Sequence, residues 1–330
     1  MRYLVTGGAG FIGSHLVEHL LSAGDHVVVL DDFSSGTWAN VGPFRDRIDL
    51  IEGSITDLET CRAATQGVDV VLHQAAIASV IRSVEEPLAT HAVNVTGTIN
   101  VMLAARDGKV RRIVFASSTA VYGDVRELPV REDMLPSPLS PYAATKLAVE
   151  DYCQAFGATY GLETVVLRYF NVFGPRQDPN SQYAAAIPKF IVAALAGDAP
   201  TIFGDGEQTR DFVFVGDVVQ ANLLASRAPA AQVAGRVFNI GTGRAVTVNE
   251  LWRRIQEIVR IELPPRHAEP RAGEIKHSYA SIERARRCLG YAPAVDFEEG
   301  LLRTVRSYEA RSGTVAQNTP PTPGWRGSHR

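Results

Sequence analysis

Short runs of consecutive apolar residues alternate with longer segments of helical periodicity through the first half of the chain. The first run, residues 2–6, leads into a glycine-rich turn and then a helical pattern over residues 11–23. Apolar runs without polar alternation are typical of strands buried on both faces of a sheet. Further strands are predicted at residues 27–30, 48–51, 68–72, 113–116 and 164–168, and helices at about 87–106 and 142–160.

This alternation predicts an α/β fold, a Rossmann-type doubly wound parallel sheet. After residue 171 the pattern loosens into shorter helices, and we interpret this part as a smaller α/β cap. Those helices are expected at about 184–196, 216–227, 248–260 and 296–311. We therefore divide the chain into a sheet domain (1–170 plus about 211–243), a cap domain (about 171–210 plus 244–312) and a disordered tail (313–330).

Composition narrows the class of protein. Of the 330 residues 45% are hydrophobic and 21% charged, and the net charge is −3, so we expect a soluble protein with no nucleic-acid or membrane partner. Three cysteines lie far apart without a Cys-x-x-Cys motif, which predicts a reduced, cytoplasmic setting. The histidines lack metal-ligand spacing, so no metal is expected, and His73 at the end of a strand is interpreted as structural.

The turn after the first strand reads Gly7-Gly8-Ala9-Gly10-Phe11-Ile12-Gly13. Glycines there let the backbone approach a pyrophosphate, and the following helix presents its free N–H groups to that anion. A lone Gly-x-Gly-x-x-Gly is weak evidence, but the strand before it and the helix after it fit a dinucleotide site.

Asp31 ends the second strand, at the position where a carboxylate accepts hydrogen bonds from both hydroxyls of an adenine ribose. Asp32 follows it, and the nearest arginine is Arg45. A carboxylate repels a 2′-phosphate, so the sequence predicts NAD and not NADP. A plain surface turn is the alternative interpretation of this segment.

Tyr142 and Lys146 open a predicted helix at four-residue spacing, which places them on one helix face. A nearby ammonium and a nicotinamide cation would both favour the phenolate of Tyr142, making it a usable base or acid. Ser117 or Ser118 would face the same crevice from the end of the preceding strand, although a strand-end turn or a helix cap is the alternative. Together the three residue types suit hydride transfer to or from a secondary alcohol.

With these motifs the chain resembles the extended short-chain dehydrogenase/reductase family, and within it the nucleotide-sugar 4-epimerases, above all those acting on UDP-N-acetylglucosamine. The resemblance runs from residue 1 to about 311. Besides the glycine turn and the Tyr142/Lys146 pair, it rests on His73-Gln-Ala-Ala76, Asn94-Val-Thr-Gly97, Ser117-Ser-Thr-Ala-Val-Tyr-Gly123, Arg168-Tyr-Phe-Asn-Val-Phe-Gly-Pro175 and Arg210-Asp-Phe212.

The resemblance implies tightly held NAD, a UDP-sugar substrate, a homodimer formed through the helices near 90–106 and 143–160, and catalysis by Ser118, Tyr142 and Lys146. It makes the sheet domain the NAD-binding domain and the cap the nucleotide-sugar-binding domain. The implied NAD-binding residues are Gly7, Gly10, Phe11, Ile12, Gly13, Asp31, Asp32, Ser35, Gly36, Ser54, Ile55, Gln74, Ala75, Ala76, Asn94, Tyr142, Lys146 and Tyr169. The implied substrate-binding residues are Ala78, Ser79, Ser117, Ser118, Asn171, Ala185, Phe203, Arg210, Arg271, Glu274 and Ser278.

Within that set, Arg210 and Arg271 resemble the family's two pyrophosphate-binding arginines, and Ser278 occupies its gatekeeper position. A bulky tyrosine there restricts relatives to UDP-glucose, whereas a small residue leaves room for a 2-acetamido group. The resemblance therefore implies turnover of UDP-GlcNAc and UDP-GalNAc, with room for UDP-glucose and UDP-galactose. Two positions depart from the pattern: Ser54 stands where some relatives have an aspartate, and Ala78 where the galactose enzymes have a lysine.

Other functions on the same scaffold are weighed against this one. Dehydratases and decarboxylases carry carboxylates where this chain has Thr119 and Ala120, which disfavours both. A UDP-glucuronate 4-epimerase stays open, with Arg82 or Arg176 as candidate carboxylate ligands. A non-catalytic NAD-binding module is the alternative from another class, although such proteins usually lose the tyrosine or the lysine.

Overall fold

The computed structural model describes residues 1–179, 186–270 and 275–317, with side chains to residue 311. A parallel sheet of seven strands, in the order β11-β6-β5-β4-β1-β2-β3, forms its centre. In chain order the strands are β1 (Arg2–Thr6), β2 (His26–Asp31), β3 (Ile48–Glu52), β4 (Val70–His73), β5 (Arg112–Ser118), β6 (Glu163–Tyr169), β7 (Asn171–Phe173), β8 (Thr201–Phe203), β9 (Thr209–Arg210), β10 (Phe212–Phe214), β11 (Arg236–Ile240), β12 (Val246–Thr247) and β13 (Arg266–Ala268).

Helices cover both faces of this sheet, as right-handed crossovers between parallel strands require. Every apolar side chain of β1 is buried, and separate hydrophobic clusters pack against the two faces. The α-helices are α1 (Phe11–Ser22), α2 (Trp38–Val41), α3 (Leu58–Ala64), α4 (Val80–Glu85), α5 (Pro87–His91), α6 (Thr98–Asp107), α7 (Pro141–Tyr160), α8 (Ala186–Ala196), α9 (Val215–Arg227), α10 (Ala230–Val233), α11 (Val248–Val259), α12 (Glu283–Leu289) and α13 (Phe297–Gln317).

The predicted α/β class and doubly wound parallel sheet are confirmed, and the six predicted strands correspond to β1–β6. The prediction that all of them are buried on both faces is wrong for β3, whose residues are partly exposed because it pairs only with β2 at one edge. The seventh strand, β11, was not predicted as a strand. Its fourth residue, Asn239, interrupts the apolar run, yet it is fully buried and hydrogen-bonded.

The long helix predicted near 87–106 is divided into α5, a π-helical segment (Ala92–Gly97) and α6. Asn94 lies within the π segment and turns its side chain out of the helix. Its amide oxygen accepts the Ile77 N–H at 2.8 Å, and its amide nitrogen donates to Thr145 at 3.1 Å. Single π turns of this kind frequently lie at functional sites.

The part of the chain after β6 adds three two-stranded pairings, β7 with β10, β9 with β12, and β8 with β13. Helices α8, α11 and α13 pack around their own hydrophobic cluster, which contains Phe190, Trp252 and Leu301. The last helix continues to Gln317, so the first residues assigned to a disordered tail are helical. No helix in the described ranges has the length and apolar character that a membrane span requires. The division into two domains remains a prediction.

Candidate active site

The glycine turn lies between the end of β1 and the start of α1. Gly7 has φ +67°, and a Cβ on it would lie 2.8 Å from the amide nitrogen of Ala75. A Cβ on Gly13 would lie 2.0 Å from the carbonyl oxygen of Gly7. The turn therefore tolerates only glycine at these two positions, and it leaves the N-terminus of α1, with Phe11 and Ile12 in its first turn, open to an anion.

Asp31, at the end of β2, turns back to the glycine turn. One carboxylate oxygen accepts the N–H of Ala9 at 2.8 Å and the other accepts the N–H of Phe33 at 2.9 Å. Burial raises the pKa of this carboxyl, and those two backbone bonds oppose the effect. Each oxygen keeps a further lone pair for a ribose hydroxyl. Gly36 packs on the same carboxylate, whereas Asp32 and Ser35 are exposed.

The loop after β4 forms the other wall of this crevice. Gln74 donates to Asn222 at 3.2 Å, and its side-chain oxygen accepts the Tyr169 hydroxyl at 3.3 Å. Asn94 holds the same loop, through Ile77, from the π segment. The predicted residues Gln74, Ala75, Asn94 and Tyr169 are thus brought together. The structural interpretation of His73 is confirmed, because its ring nitrogens bond to Thr6 and Thr98 and burial lowers its pKa to about 3.

The remaining predicted cofactor positions lie after β3 and in the loop that follows β4. The predicted substrate residues Ala78 and Ser79 lie at the end of that loop. Ser54 accepts the N–H and the hydroxyl of Thr56, so its hydroxyl oxygen already has local donors. Ile55 is buried, and a Cβ on Gly97 would lie 2.7 Å from its side chain. Ala76 is partly buried, Ala78 is exposed, and Ser79 caps α4 by accepting the N–H of Arg82.

Tyr142 and Lys146 lie in the first turns of α7, beside the end of β5. Tyr142 hydrogen-bonds to Ser118, whose oxygen also accepts the N–H of Ala120 at 3.1 Å. That bond uses one of the two acceptor lone pairs of the hydroxyl and leaves its proton available for donation to the phenol oxygen. Lys146 donates to the carbonyl of Ala116 at 2.8 Å, and its Nζ lies 5.9 Å from the centre of the Tyr142 ring.

Burial dominates the electrostatics of this centre. It raises the pKa of Tyr142, and the hydrogen bond from Ser118 offsets part of that rise. It lowers the pKa of Lys146 to about 8, against the opposing influence of the Glu150 carboxylate. The protein alone therefore keeps the phenol neutral near neutral pH, and additional positive charge is needed to favour its ionised form.

The sequence left open which serine faces Tyr142, and the structure distinguishes them. Ser118 contacts the phenol, whereas the Ser117 hydroxyl donates to Glu150 at 2.5 Å, about two helical turns further along α7. Each serine is thus engaged by a different residue of α7, and the one paired with Tyr142 is Ser118. The expectation that Ser117 binds substrate directly is thus not supported by its orientation.

On the cap side, backbone contacts bring several predicted substrate residues together. Asn171 donates its N–H to the carbonyl of Asp211, next to Arg210. Ser278 is 8% exposed and donates its N–H to Thr209, which precedes Arg210. Gln208 in the same strand region donates to the carbonyl of Phe203 at 2.9 Å. Ala185, Arg271 and Glu274 lie outside the described residues.

Three residues that hold parts of the site in place were not predicted from the sequence. Asp211 accepts the backbone N–H groups of Thr242, Gly243 and Ala280, and it is fully buried within the Arg210-Asp-Phe212 motif. Glu150 lies four residues after Lys146, a spacing that could have identified it. Asn222 bonds to Tyr169 at 2.7 Å but stands in a helix with no local signal.

The two arginines considered for a substrate carboxylate are already paired. Arg82 contacts Glu86 at 2.9 Å, and Arg176 contacts Glu18 at 2.5 Å. Thr119 and Ala120 begin a 3₁₀ turn directly after Ser118. Neither residue has a carboxylate, so the turn lacks the acid and base that dehydration or decarboxylation would need there.

A parallel sheet with a glycine turn, a carboxylate facing that turn and a Tyr/Lys pair beside the end of β5 defines a dinucleotide-dependent α/β enzyme. A family match over residues 3–241 is to the NAD dependent epimerase/dehydratase family. A UDP-glucose 4-epimerase from Mycolicibacterium smegmatis is 42% identical over 316 residues, covering 94% of this chain and 100% of that protein.

Solved structures agree with this match. A UDP-glucose 4-epimerase from Thermotoga maritima, crystallised with UDP-glucose, has a TM-score of 0.90 and 40% identity, covering 94% of this chain and 100% of that one. A UDP-N-acetylglucosamine 4-epimerase from Methanobrevibacter ruminantium, in complex with UDP-N-acetylmuramic acid, has a TM-score of 0.90 and 39% identity, covering 94% and 98%. The chain belongs to the NAD dependent epimerase/dehydratase family, so the predicted family, its enzymatic character and its NAD cofactor are confirmed.

Proposed function

We propose that this protein is a UDP-sugar 4-epimerase whose substrates are UDP-N-acetylglucosamine and UDP-N-acetylgalactosamine, and which also accepts UDP-glucose and UDP-galactose. The observation that carries the chemistry is the Ser118–Tyr142 hydrogen bond with Lys146 one helical turn further on. It gives a proton acceptor, a donor to the same oxygen and a cation in one buried place. The family match and the named activities of the relatives support the reaction class.

NAD fits the crevice between the glycine turn and the Gln74 loop, where only glycine is tolerated and the Asp31 carboxylate faces the turn. The chemistry that bound NAD would supply is reversible hydride transfer with the sugar carbon. Its positive charge would add to that of Lys146 in favouring the Tyr142 phenolate.

Tyr142 then takes the proton from the sugar 4-hydroxyl while Ser118 donates a hydrogen bond to the same oxygen. Loss of that proton and of the C4 hydride leaves a 4-keto sugar. For inversion, the keto sugar must present its other face while the nucleotide stays bound. Tyr142 returns the proton to the oxygen when C4 is reduced again, so no net oxidation results.

The nucleotide must accordingly be held more firmly than the sugar. Arg210 is anchored by its own bonds to the carbonyls of Thr209 and Lys276, and guanidinium groups suit phosphate oxygens. The small, buried Ser278 beside it supports the acetamido preference, because a small side chain leaves space for a larger sugar substituent.

Assays of the purified protein with UDP-GlcNAc, UDP-glucose and UDP-glucuronate test the proposal. We expect the first two to be converted to their 4-epimers and UDP-glucuronate to be left unchanged, since Arg82 and Arg176 are paired with glutamates. Conversion of UDP-glucuronate alone would replace our proposal by the uronate alternative. Bound NAD without turnover of any UDP-sugar would favour a non-catalytic binding module.

We also propose a homodimer through α5, α6 and α7. Leu88 is 85% exposed on α5, and Tyr152 is 41% exposed on α7. Because α5 packs against α7, these side chains can belong to one surface, and contiguous exposed apolar surfaces are typical of those that a partner covers. Light scattering during size-exclusion chromatography should give a mass twice that of one chain. The variant Leu88→Glu should give a mass closer to that of the monomer.

A further inference from the structure

A buried ion pair lies directly behind the catalytic residues, between α7 and β6. The side chains of Glu150 and Arg168 are each 5% exposed. Glu150 Oε1 accepts the Arg168 Nε–H at 2.9 Å, and Oε2 accepts an Nη2–H at 2.5 Å, so the guanidinium binds the carboxylate in a two-pronged manner. Taking two charges out of water is costly, so a pair at this place calls for a reason.

The pair is built into the same helix face as the reacting groups. Tyr142, Lys146 and Glu150 follow one another at four-residue spacing on α7. All three contact one short segment of β5, residues 116–118. Tyr142 hydrogen-bonds to its last residue, Lys146 donates to the carbonyl of its first, and Glu150 accepts from the hydroxyl of its middle residue. The carboxylate therefore helps to fix the strand end that carries Ser118.

Charge gives the second link. Lys146 is 5% exposed, and the Glu150 carboxylate raises the pKa of this lysine against the larger effect of burial. Arg168 neutralises that carboxylate from the other side and is itself stacked over the Tyr122 ring at 4.5 Å. The titratable and charged groups facing Lys146 and Glu150 are His73 on β4, Tyr142 and Cys153 on α7, and Arg168 on β6. Tyr122 and Glu132 lie beyond them, where Tyr122 interacts with both Arg168 and Glu132.

We propose that Glu150, clamped by Arg168, is a positioning residue of this active site. Its carboxylate fixes Ser117, and through it the neighbouring Ser118, while supplying the counter-charge that keeps Lys146 cationic. The balance between Glu150 and Arg168 thus sets the upper pH limit of the reaction. This inference rests on the proposed epimerase function of the same site.

The two members of the pair should act with opposite sign. Glu150→Gln removes the negative charge and leaves Arg168 as a like charge, so Lys146 loses its proton at lower pH. Arg168→Met removes the positive charge that screens Glu150, so Lys146 keeps its proton to higher pH. A pair with a purely structural role would weaken the enzyme in both variants without moving the titration of Lys146.

The experiment combines kinetics with direct titration of the holoenzyme. Only four lysines occur in the sequence, so protein labelled with ¹³C at lysine Cε gives few NMR signals, and Lys146→Arg assigns the relevant one. For Glu150→Gln we expect the Lys146 midpoint and the alkaline limb of kcat to fall by about one pH unit. At pH 9, above both midpoints, kcat should fall roughly tenfold while KM changes by less than about twofold.

Glu163→Gln is the matched control, because Glu163 also pairs with a buried arginine, Arg112, but lies at the start of β6, away from the site. It should leave the Lys146 midpoint unchanged. Glu150→Asp keeps the negative charge, so its Lys146 midpoint should lie close to that of the unmodified enzyme.

Two results would overturn the inference. One is an unchanged Lys146 titration midpoint in folded Glu150→Gln, and the other is a midpoint that moves in the same direction in Glu150→Gln and Arg168→Met. If Glu150→Gln does not fold, the upward shift expected of Arg168→Met decides. Absence of UDP-sugar turnover by the unmodified enzyme would instead refute the proposed function, and the NMR titration would still test the positioning role.

Discussion

The phenol of Tyr142 is the group on which the proposed chemistry depends. Ser118 accepts the N–H of Ala120 and keeps its own proton for donation to the phenol oxygen, so the two hydroxyls are already paired before any substrate arrives. Pre-oriented proton transfer groups of this kind contribute about 10²–10⁴-fold to a rate.

Tyr142→Phe should therefore lower kcat for UDP-GlcNAc by roughly 10³-fold. NAD should still co-purify, because the glycine turn and Asp31 are untouched, and this is measured by absorbance of the cofactor released on denaturation. Tyr160→Phe, half-exposed at the end of the same helix, is the control and should retain full activity. Native turnover by Tyr142→Phe would contradict the assigned role.

Lys146 predicts the alkaline side of the pH profile. Burial lowers its pKa to about 8, so the cation that supports the phenolate is present below that pH and lost above it. The positive charge of bound NAD would lower the pKa of Lys146 further. We expect kcat/KM to decline with an apparent pKa no higher than about 8.

Lys146→Arg tests this assignment, because a guanidinium stays protonated throughout the accessible range. The alkaline limb should disappear from the profile of that variant, even if its maximal rate is reduced. A limb that stays at the same pH would assign the titration to another group.

Ser278 predicts substrate choice. Ser278→Tyr would place a large ring in a position that is only 8% exposed, beside Thr209 and Arg210. We expect kcat/KM for UDP-GlcNAc to fall by about 10² or more and that for UDP-glucose to change less than about threefold. Ser278→Ala, which stays small, should keep both activities. Equal losses on both sugars in the tyrosine variant would argue against a gatekeeper.

At the scale of elements, the π segment couples two parts of the cofactor crevice. Asn94 can bond to Ile77 and Thr145 because the local change of helical pitch turns its side chain outward. An ideal helix at this place would separate the Gln74 loop from α7.

Asn94→Ala should lower the free energy of unfolding by about 2 kcal/mol, since it leaves the Ile77 amide without its acceptor. The variant should also lose NAD during purification. Urea denaturation and the cofactor content measure the two effects. Thr96→Ala, an exposed position of the same segment, should change neither.

At the scale of the molecule, Asp211 joins segments that are distant in sequence. Its carboxylate oxygens accept N–H groups from Thr242, Gly243 and Ala280, at 2.8, 2.9 and 3.1 Å. It follows Arg210 directly, so the same residue that ties these segments together also places the arginine.

Asp211→Asn should lower the free energy of unfolding by roughly 2–4 kcal/mol, because an amide N–H₂ would face donors where an oxygen now accepts. Urea denaturation measures this loss. Asp205→Asn, at an exposed carboxylate that accepts one backbone N–H, should leave the urea midpoint essentially at that of the parent. Equal stability of both variants would show that the buried carboxylate does not join these segments.

The sequence by itself determined the features that depend on neighbours in the chain. Local spacing in the sequence predicted the glycine turn, Asp31, the pair of Tyr142 and Lys146, and the first six strands. The structure shows the strands and helices that carry them in the expected order. The carboxylate of Asp31 already predicted NAD as the cofactor, and the family match confirms it.

Only the tertiary structure decided the features that depend on partners far along the chain. It distinguished Ser118 from Ser117, because the two hydroxyls meet different partners, Tyr142 and Glu150, only once β5 is packed against α7. It also paired Glu150 with Arg168 and made Asp211 a buried acceptor. A buried polar group must find its hydrogen-bond partner wherever the fold places one, and no local spacing in a sequence specifies that meeting.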